Sequence, residues 1–233
     1  MEYIVIIIFL MIVIVILRKL FGFNKKEIEQ IAKNEKLDNI VSKFPDNIEI
    51  CKDYLKMLKN DKVKIEEDKN ATNSLYIAIS NKILIADLKE SYTRIQTIAH
   101  ECLHSIQDRK LLLFNFFYSN IYIIYFLMIV ILGILKFLPN KMIFLIILII
   151  GGFIYYFIRS YLENDAMIKA RFLAKEYIEQ KKLISKEEID EIVKGFDELN
   201  NIGIKAINYK LFLNTIIKVI IFCLLNLLML YQL

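Results

Sequence analysis

The sequence predicts a mostly α membrane protein, with four transmembrane helices and a small polar α+β part built around a short sheet. Three observations carry that expectation. Hydrophobic residues make up 57% of the 233-residue chain and charged residues 24%, yet the two classes alternate in blocks and are not mixed as in one soluble globule. Four apolar blocks reach or approach the roughly twenty helical residues that cross a bilayer. Within the first polar block the hydrophobic period changes from helical to alternating, the mark of strands.

Residues 3–23 are the first apolar run. Glu2 stands where a signal peptide carries basic residues, and no small-residue cleavage site follows Leu17, so the run is expected to remain as an anchor. Residues 24–110 are polar. An amphipathic helix is expected over 24–44, marked by Ile28, Ile31, Ile40 and Val41, and Pro45-Asp46-Asn47 breaks it. A second helix runs to about Lys59, with Cys51, Tyr54, Leu55 and Leu58 on one face. Val63 and Ile65 then alternate with lysines, and residues 75–79 and 83–86 complete three short strands, the last two a hairpin turning near Ser80-Asn81-Lys82. Asp87 followed by Glu90 has the spacing of a capping box, so the next helix is expected to begin just after Asp87.

Residues 111–136 and 142–158 are the second and third spans, joined by a short turn carrying Pro139-Asn140. Residues 159–210 form a second polar, helical stretch, and 211–231 a fourth span interrupted by Lys218. Arg18, Lys19, Lys25, Lys26, Arg109, Lys110, Arg159, Lys205 and Lys210 flank the spans on one side. The positive-inside rule therefore expects a multi-pass protein of the cell membrane with both polar stretches in the cytoplasm. A net charge of +5 suits a surface against anionic lipid, and no basic cluster is dense enough for nucleic acid.

Both histidines of the chain fall in one motif, His100-Glu101-Cys102-Leu103-His104. Residues four apart share a helix face, so His100 and His104 can offer imidazole nitrogens to a single metal ion, with Glu101 placed to take a proton from water there. Two histidines placed at random would give this spacing, with Glu in its slot, in roughly one case in a thousand. Cys51, Cys102 and Cys223 are too few and too scattered for a disulfide frame or a cysteine-rich metal site. Cys102 lies about 200° round the helix from each histidine and is expected to pack.

A hydrolytic zinc site takes three protein ligands and leaves one position open. No third histidine exists, so the remaining ligand is expected to be a downstream carboxylate. Asp108 shares a face with His104, but a third ligand on the same rigid helix closes a tetrahedron poorly. Glu163 is better placed. Spans two and three form an antiparallel hairpin, which returns Glu163 to the side of the histidines, roughly 8 Å past its span against roughly 10–16 Å for the histidine pair. Ala166, Ala170 and Ala174 follow as a small-residue seam. Asp165 is an alternative ligand, or an acceptor behind the site for a histidine N–H. Tyr92, Tyr161 and Arg159 are the candidates for an oxyanion partner.

His100-Glu101-x-x-His104 followed by Ser105-Ile106-Gln107, and later Glu163-x-Asp165-Ala166, resembles the YugP-type family of neutral zinc metallopeptidases, whose pattern runs HExxHAxQ and then ExDAS. The resemblance covers about residues 46–175. Leu103, Ser105, Asn164 and Met167 stand where the family pattern has Gly, Ala, Phe and Ser. It implies a gluzincin-like cytoplasmic domain, Zn2+ as cofactor, Glu163 as third ligand, and a peptide or membrane-protein substrate. More distantly the arrangement is similar to HtpX and CAAX prenyl proteases, whose ExxxD motif is not reproduced, since Tyr161 stands four before Asp165.

Two rivals follow from the same residues. An intramembrane protease of the site-2 type needs its motif inside a span, but Gln107-Asp108-Arg109-Lys110 separates the motif from the apolar run. A membrane scaffold or channel-like protein with a relict site would instead use Lys218, Asn214 and Asn226, because intramembrane polar groups mark a pathway or a buried pair.

Overall fold

The structure, a computed structural model, describes residues 2–22, 30–68, 70–71, 73–87 and 91–231. Its helices include α1 (Glu2–Phe21), α2 (Glu35–Val41), α3 (Asn47–Met57), α4 (Arg94–His104), α5 (Arg109–Ile134), α6 (Lys141–Lys181) and α7 (Lys186–Tyr231), and its strands among the described residues are β1 (Lys64–Asp68), β2 (Leu75–Ile77) and β3 (Lys82–Ala86). The chain divides into an apolar unit, Met1–Phe23, Phe114–Tyr161 and Lys205–Leu233, and a polar unit, Asn24–Leu113 and Leu162–Ile204. Among the described residues four helices, α1, α5, α6 and α7, are long and apolar enough to cross a membrane.

In the apolar unit, α5, α6 and α7 pack through Ile129, Leu145, Leu148, Val219 and Phe222. Tyr118, Tyr122 and Tyr125 of α5 donate their phenols to the α6 carbonyls of Gly151, Leu148 and Phe144 at 3.0, 3.3 and 2.9 Å. Gly152 is a point of close approach, where a Cβ would strike the Thr215 side chain and the Tyr122 hydroxyl. Lys218 is buried. Its ammonium bonds Asn214 at 2.9 Å and lies 5.2 and 5.9 Å from the ring centres of Tyr122 and Tyr155, so this cation is accommodated inside its own bundle by an amide and two π faces.

The expected polar stretch 159–210 is the C-terminal half of α6, a turn and the N-terminal half of α7. α7 opens on a reciprocal capping box: the Glu188 N–H donates to Ser185 Oγ at 3.2 Å and the Ser185 N–H to Glu188 Oε2 at 2.8 Å.

The polar unit is built from α2, α3, the sheet, α4 and the adjoining parts of α6 and α7. Asn34 caps α2 and Asp46 caps α3 through their side-chain oxygens. The sheet has the order β1-β3-β2, with β3 parallel to β1 and antiparallel to β2. The hairpin turns through Asn81 in a left-handed conformation (φ 48°), which an Asn side chain tolerates. The core joins Ile50, Cys51 and Tyr54 of α3, Ile83 and Ile85 of β3, Ile95, Ile98, Ala99 and Cys102 of α4, Ala166, Ala170, Ala174 and Tyr177 of α6, and Phe196 of α7.

Two expectations about helices are corrected. In its described part the expected 24–44 helix is interrupted at Lys33-Asn34, where the extended Asn34 caps the separate helix α2. The motif helix begins at Arg94, not just after Asp87, and its N-cap Thr93 makes no side-chain cap bond; Glu90 lies outside the described residues, as do Ile28 and the start of the expected 24–44 helix. Tertiary bonds hold the preceding backbone elsewhere. The Tyr92 N–H donates to Asp38 at 2.6 Å, the Tyr92 hydroxyl to the Ile31 carbonyl at 2.9 Å, and the Ser91 and Thr93 hydroxyls bond each other at 2.7 Å.

Candidate metal centre

Short helix α4 is fixed at both ends. At its start the buried Arg94 guanidinium donates to the carbonyls of Val41, Phe44 and Pro45 and to Asn47 Oδ1, and Tyr54 donates to the Ile95 carbonyl at 3.1 Å. At its end Asn60 Nδ2 donates to the Ser105 carbonyl and hydroxyl at 3.1 and 2.9 Å. Cys102 faces the core with its sulfur 3.6 Å from that of Cys51, and Leu103 is buried in the same core. The packing role expected of Cys102 is thus seen in contact form, and the other face carries the histidines.

His100 and His104 meet Glu163 of α6. Their Nε2 atoms are 3.0 Å apart and lie 3.4 and 3.8 Å from Glu163 Oε2. These three groups could hold a metal ion. A tetrahedral zinc with bonds of about 2.0–2.2 Å spaces its ligand atoms roughly 3.3–3.6 Å apart, and the observed separations bracket that range. Two imidazoles and a carboxylate are also the donor set of a catalytic zinc with one position left open, so the residues present fit the group that the motif implies. Ala166, Ala170 and Ala174, each at most 1% exposed, follow Glu163 along α6 and belong to the same core as Ile95, Ala99 and Cys102 of α4.

Glu101 is buried, and the Tyr76 N–H of β2 donates to its Oε2 at 2.7 Å. Burial raises its carboxyl above the ordinary carboxylate range, against the opposing pull of His100, His104 and the Tyr76 amide. For His104 burial acts to lower the pKa, but the hydrogen bond and charge of Glu163 outweigh it and the imidazole titrates above its ordinary value. Asp165 does not meet a histidine directly. It accepts from Gln107 Nε2 at 3.0 Å and from Lys169 Nζ at 2.5 Å, while Gln107 Oε1 faces His104 Nδ1 at 2.8 Å. Burial alone would raise the Asp165 carboxyl; Lys169 and Gln107 bring it below its ordinary range.

The remaining sequence candidates have other work. Asp108 caps α5, accepting from the Lys110 and Leu111 N–H groups at 2.7 and 3.3 Å. Tyr92 is fully buried, stacks on Phe196 and has its hydroxyl committed to Ile31, with burial pushing its phenol up to about 12, so it is not an oxyanion partner. Arg159 and Tyr161 belong to the apolar unit. Sequence reasoning missed Tyr76 and Asn60, and quoted Gln107 in the motif without giving it a role. Only Gln107, three residues past His104, carries a positional signal. Comparison with protein-family models, curated proteins and solved structures returns no match.

Proposed function

We propose that this protein is a membrane-bound zinc-dependent endopeptidase that hydrolyses peptide bonds at the cytoplasmic face. The observation that carries this reading is the convergence of His100, His104 and Glu163 at zinc-ligand spacing, with Glu101 buried on the same helix. Zinc held by these three residues would polarise the scissile carbonyl and make water a proton donor near neutral pH. Glu101 takes that proton and returns it to the leaving amine. Its raised pKa suits both halves of the exchange, because a base works best with a pKa near the operating pH. The Tyr76 amide fixes the carboxylate so that the proton moves along one line.

Tyr76 lies in β2, an outer strand of the sheet, so the sheet edge and the general base are adjacent. An extended substrate backbone would lie along that edge, its amides bonded as an added strand. Membrane placement is supported by the four long apolar helices. The cytoplasmic side follows from the basic residues at the inner span ends, Arg18, Lys19, Arg159, Lys205 and Lys210, against Lys136 and Lys141 at the outer turn.

The test is Glu101→Gln in the purified full chain, assayed on a library of quenched fluorescent peptides. The variant is expected to retain zinc and to lose roughly 10²–10⁴-fold in rate. Cleavage at the wild-type rate would remove Glu101 from the chemistry.

A further inference from the structure

Gln107 stands just past the end of α4, and its side-chain amide is held at both ends. Nε2 donates to the Leu162 carbonyl at 2.8 Å and to Asp165 Oδ2 at 3.0 Å. Oε1 lies 2.8 Å from His104 Nδ1. The amide cannot be turned over, because a reversed amide would set Oε1 against a carbonyl and a carboxylate, neither of which has a proton to offer. Oε1 therefore faces the imidazole. An amide oxygen only accepts, so the single proton of a neutral His104 ring resides on Nδ1 and the lone pair on Nε2. Nε2 is the atom that faces His100 and Glu163.

Leu162, Glu163, Asp165 and Lys169 all lie on α6. One helix thus presents the carboxylate ligand and, within the same turns, the two acceptors that decide which way Gln107 points. Lys169 clamps Asp165 from one turn further on.

We propose that Gln107 is a positioning residue that locks His104 in the Nδ1–H tautomer, with the Leu162 carbonyl and Asp165 setting the direction of its amide. This rests on reading His100, His104 and Glu163 as a zinc site. The lock presents a lone pair to the metal before it arrives, so binding need not first move a proton between the two ring nitrogens. Asp165 acts two bonds away from the ligand, through Gln107.

The experiment uses the full chain in detergent, with ¹⁵N-labelled histidine and zinc as the probe. In metal-free wild type, at a pH above the imidazole titration, the His104 signals are expected to show a protonated Nδ1 and an unprotonated Nε2. Gln107→Leu is expected to mix the two tautomers and to weaken zinc binding, measured by chelator competition, roughly 10–100-fold, with metal-free melting as the control for folding. A protonated Nε2 in wild type would overturn the proposal, and that spectrum needs no variant. Zinc affinity unchanged in a folded Gln107→Leu would overturn it as well. If wild type binds no zinc, the zinc-site reading fails separately, while the metal-free nitrogen spectrum still decides the tautomer.

Discussion

Replacing Arg94 by methionine isolates what seats the motif helix. The side chain is 4% exposed and is the first residue of α4. Its Nη1 donates to the Pro45 carbonyl at 2.7 Å and to Asn47 Oδ1 at 3.1 Å, and its Nη2 to the Val41 and Phe44 carbonyls at 3.0 Å each. Three of these acceptors are backbone carbonyls from the end of α2 and the turn into α3; that of Val41 also accepts from the Phe44 N–H at 3.0 Å, and carbonyls at a helix end need such donors because the helix itself supplies none. Methionine fills the stem volume and donates nothing. Hydrogen bonds from a charged donor contribute about 1.5–3 kcal/mol each, but they do not add, because the guanidinium is itself buried, a desolvation that lowers its pKa. Methionine removes the charge and leaves neutral acceptors behind, each costing about 1–3 kcal/mol if buried and unsatisfied; with the desolvation of the guanidinium relieved, a net loss of about 3 kcal/mol is expected here. It corresponds to a fall in melting temperature on the order of 10 °C. Far-ultraviolet dichroism of metal-free wild type, Arg94→Met and Arg94→Lys measures it. Lysine keeps the charge but not the fork, and should fall between the other two. Arg94→Met within about 0.5 kcal/mol of wild type, the range of an ordinary surface change, would refute the claim that this side chain holds α4 in place.

Three further outcomes are expected. Because Glu101 titrates above its ordinary 4.5 in the fold, its ionisation opposes folding, and stability falls as pH rises from about 4.5 through the folded value. Metal-free Glu101→Gln should therefore melt higher than wild type at neutral pH, with the gap closing below about pH 4.5; a variant that melts lower throughout would contradict the buried, disfavoured charge. Ala170→Leu overfills the α4–α6 seam and should cost about 1–3 kcal/mol together with zinc affinity, seen by melting and chelator competition; a neutral result would mean that the seam has slack. Cysteines introduced at Asn140 and at Lys182 should label with an impermeant maleimide from outside intact cells and only after permeabilisation, respectively. The opposite pattern would invert the topology.

The four long apolar helices were legible because hydropathy is a sum over twenty residues and survives local error. The pair of histidines and Glu163 were legible for a different reason: a helix repeats every 3.6 residues, and a hairpin returns the chain to its starting side. What the sequence did not disclose depends on contacts between distant segments. The start of α4 moved from the region of Asp87 to Arg94 because Tyr92 is tied to Asp38 and Ile31, and local capping preference has no knowledge of either. The acceptor behind His104 is Gln107 and not Asp165, since α4 ends at His104 and the following turn inserts an amide between the two. The role of Arg94 has no local signal either, because its acceptors come from the end of α2 and the loop at Pro45.

Zinc content of the detergent-purified chain, wild type beside Glu163→Ala, tests the metal centre most directly. One zinc per chain in wild type, with a marked loss of zinc in Glu163→Ala, is the expected result. Wild-type protein that binds no zinc, or a Glu163→Ala variant that binds it as tightly as wild type, would contradict a centre shared between the two histidines and α6.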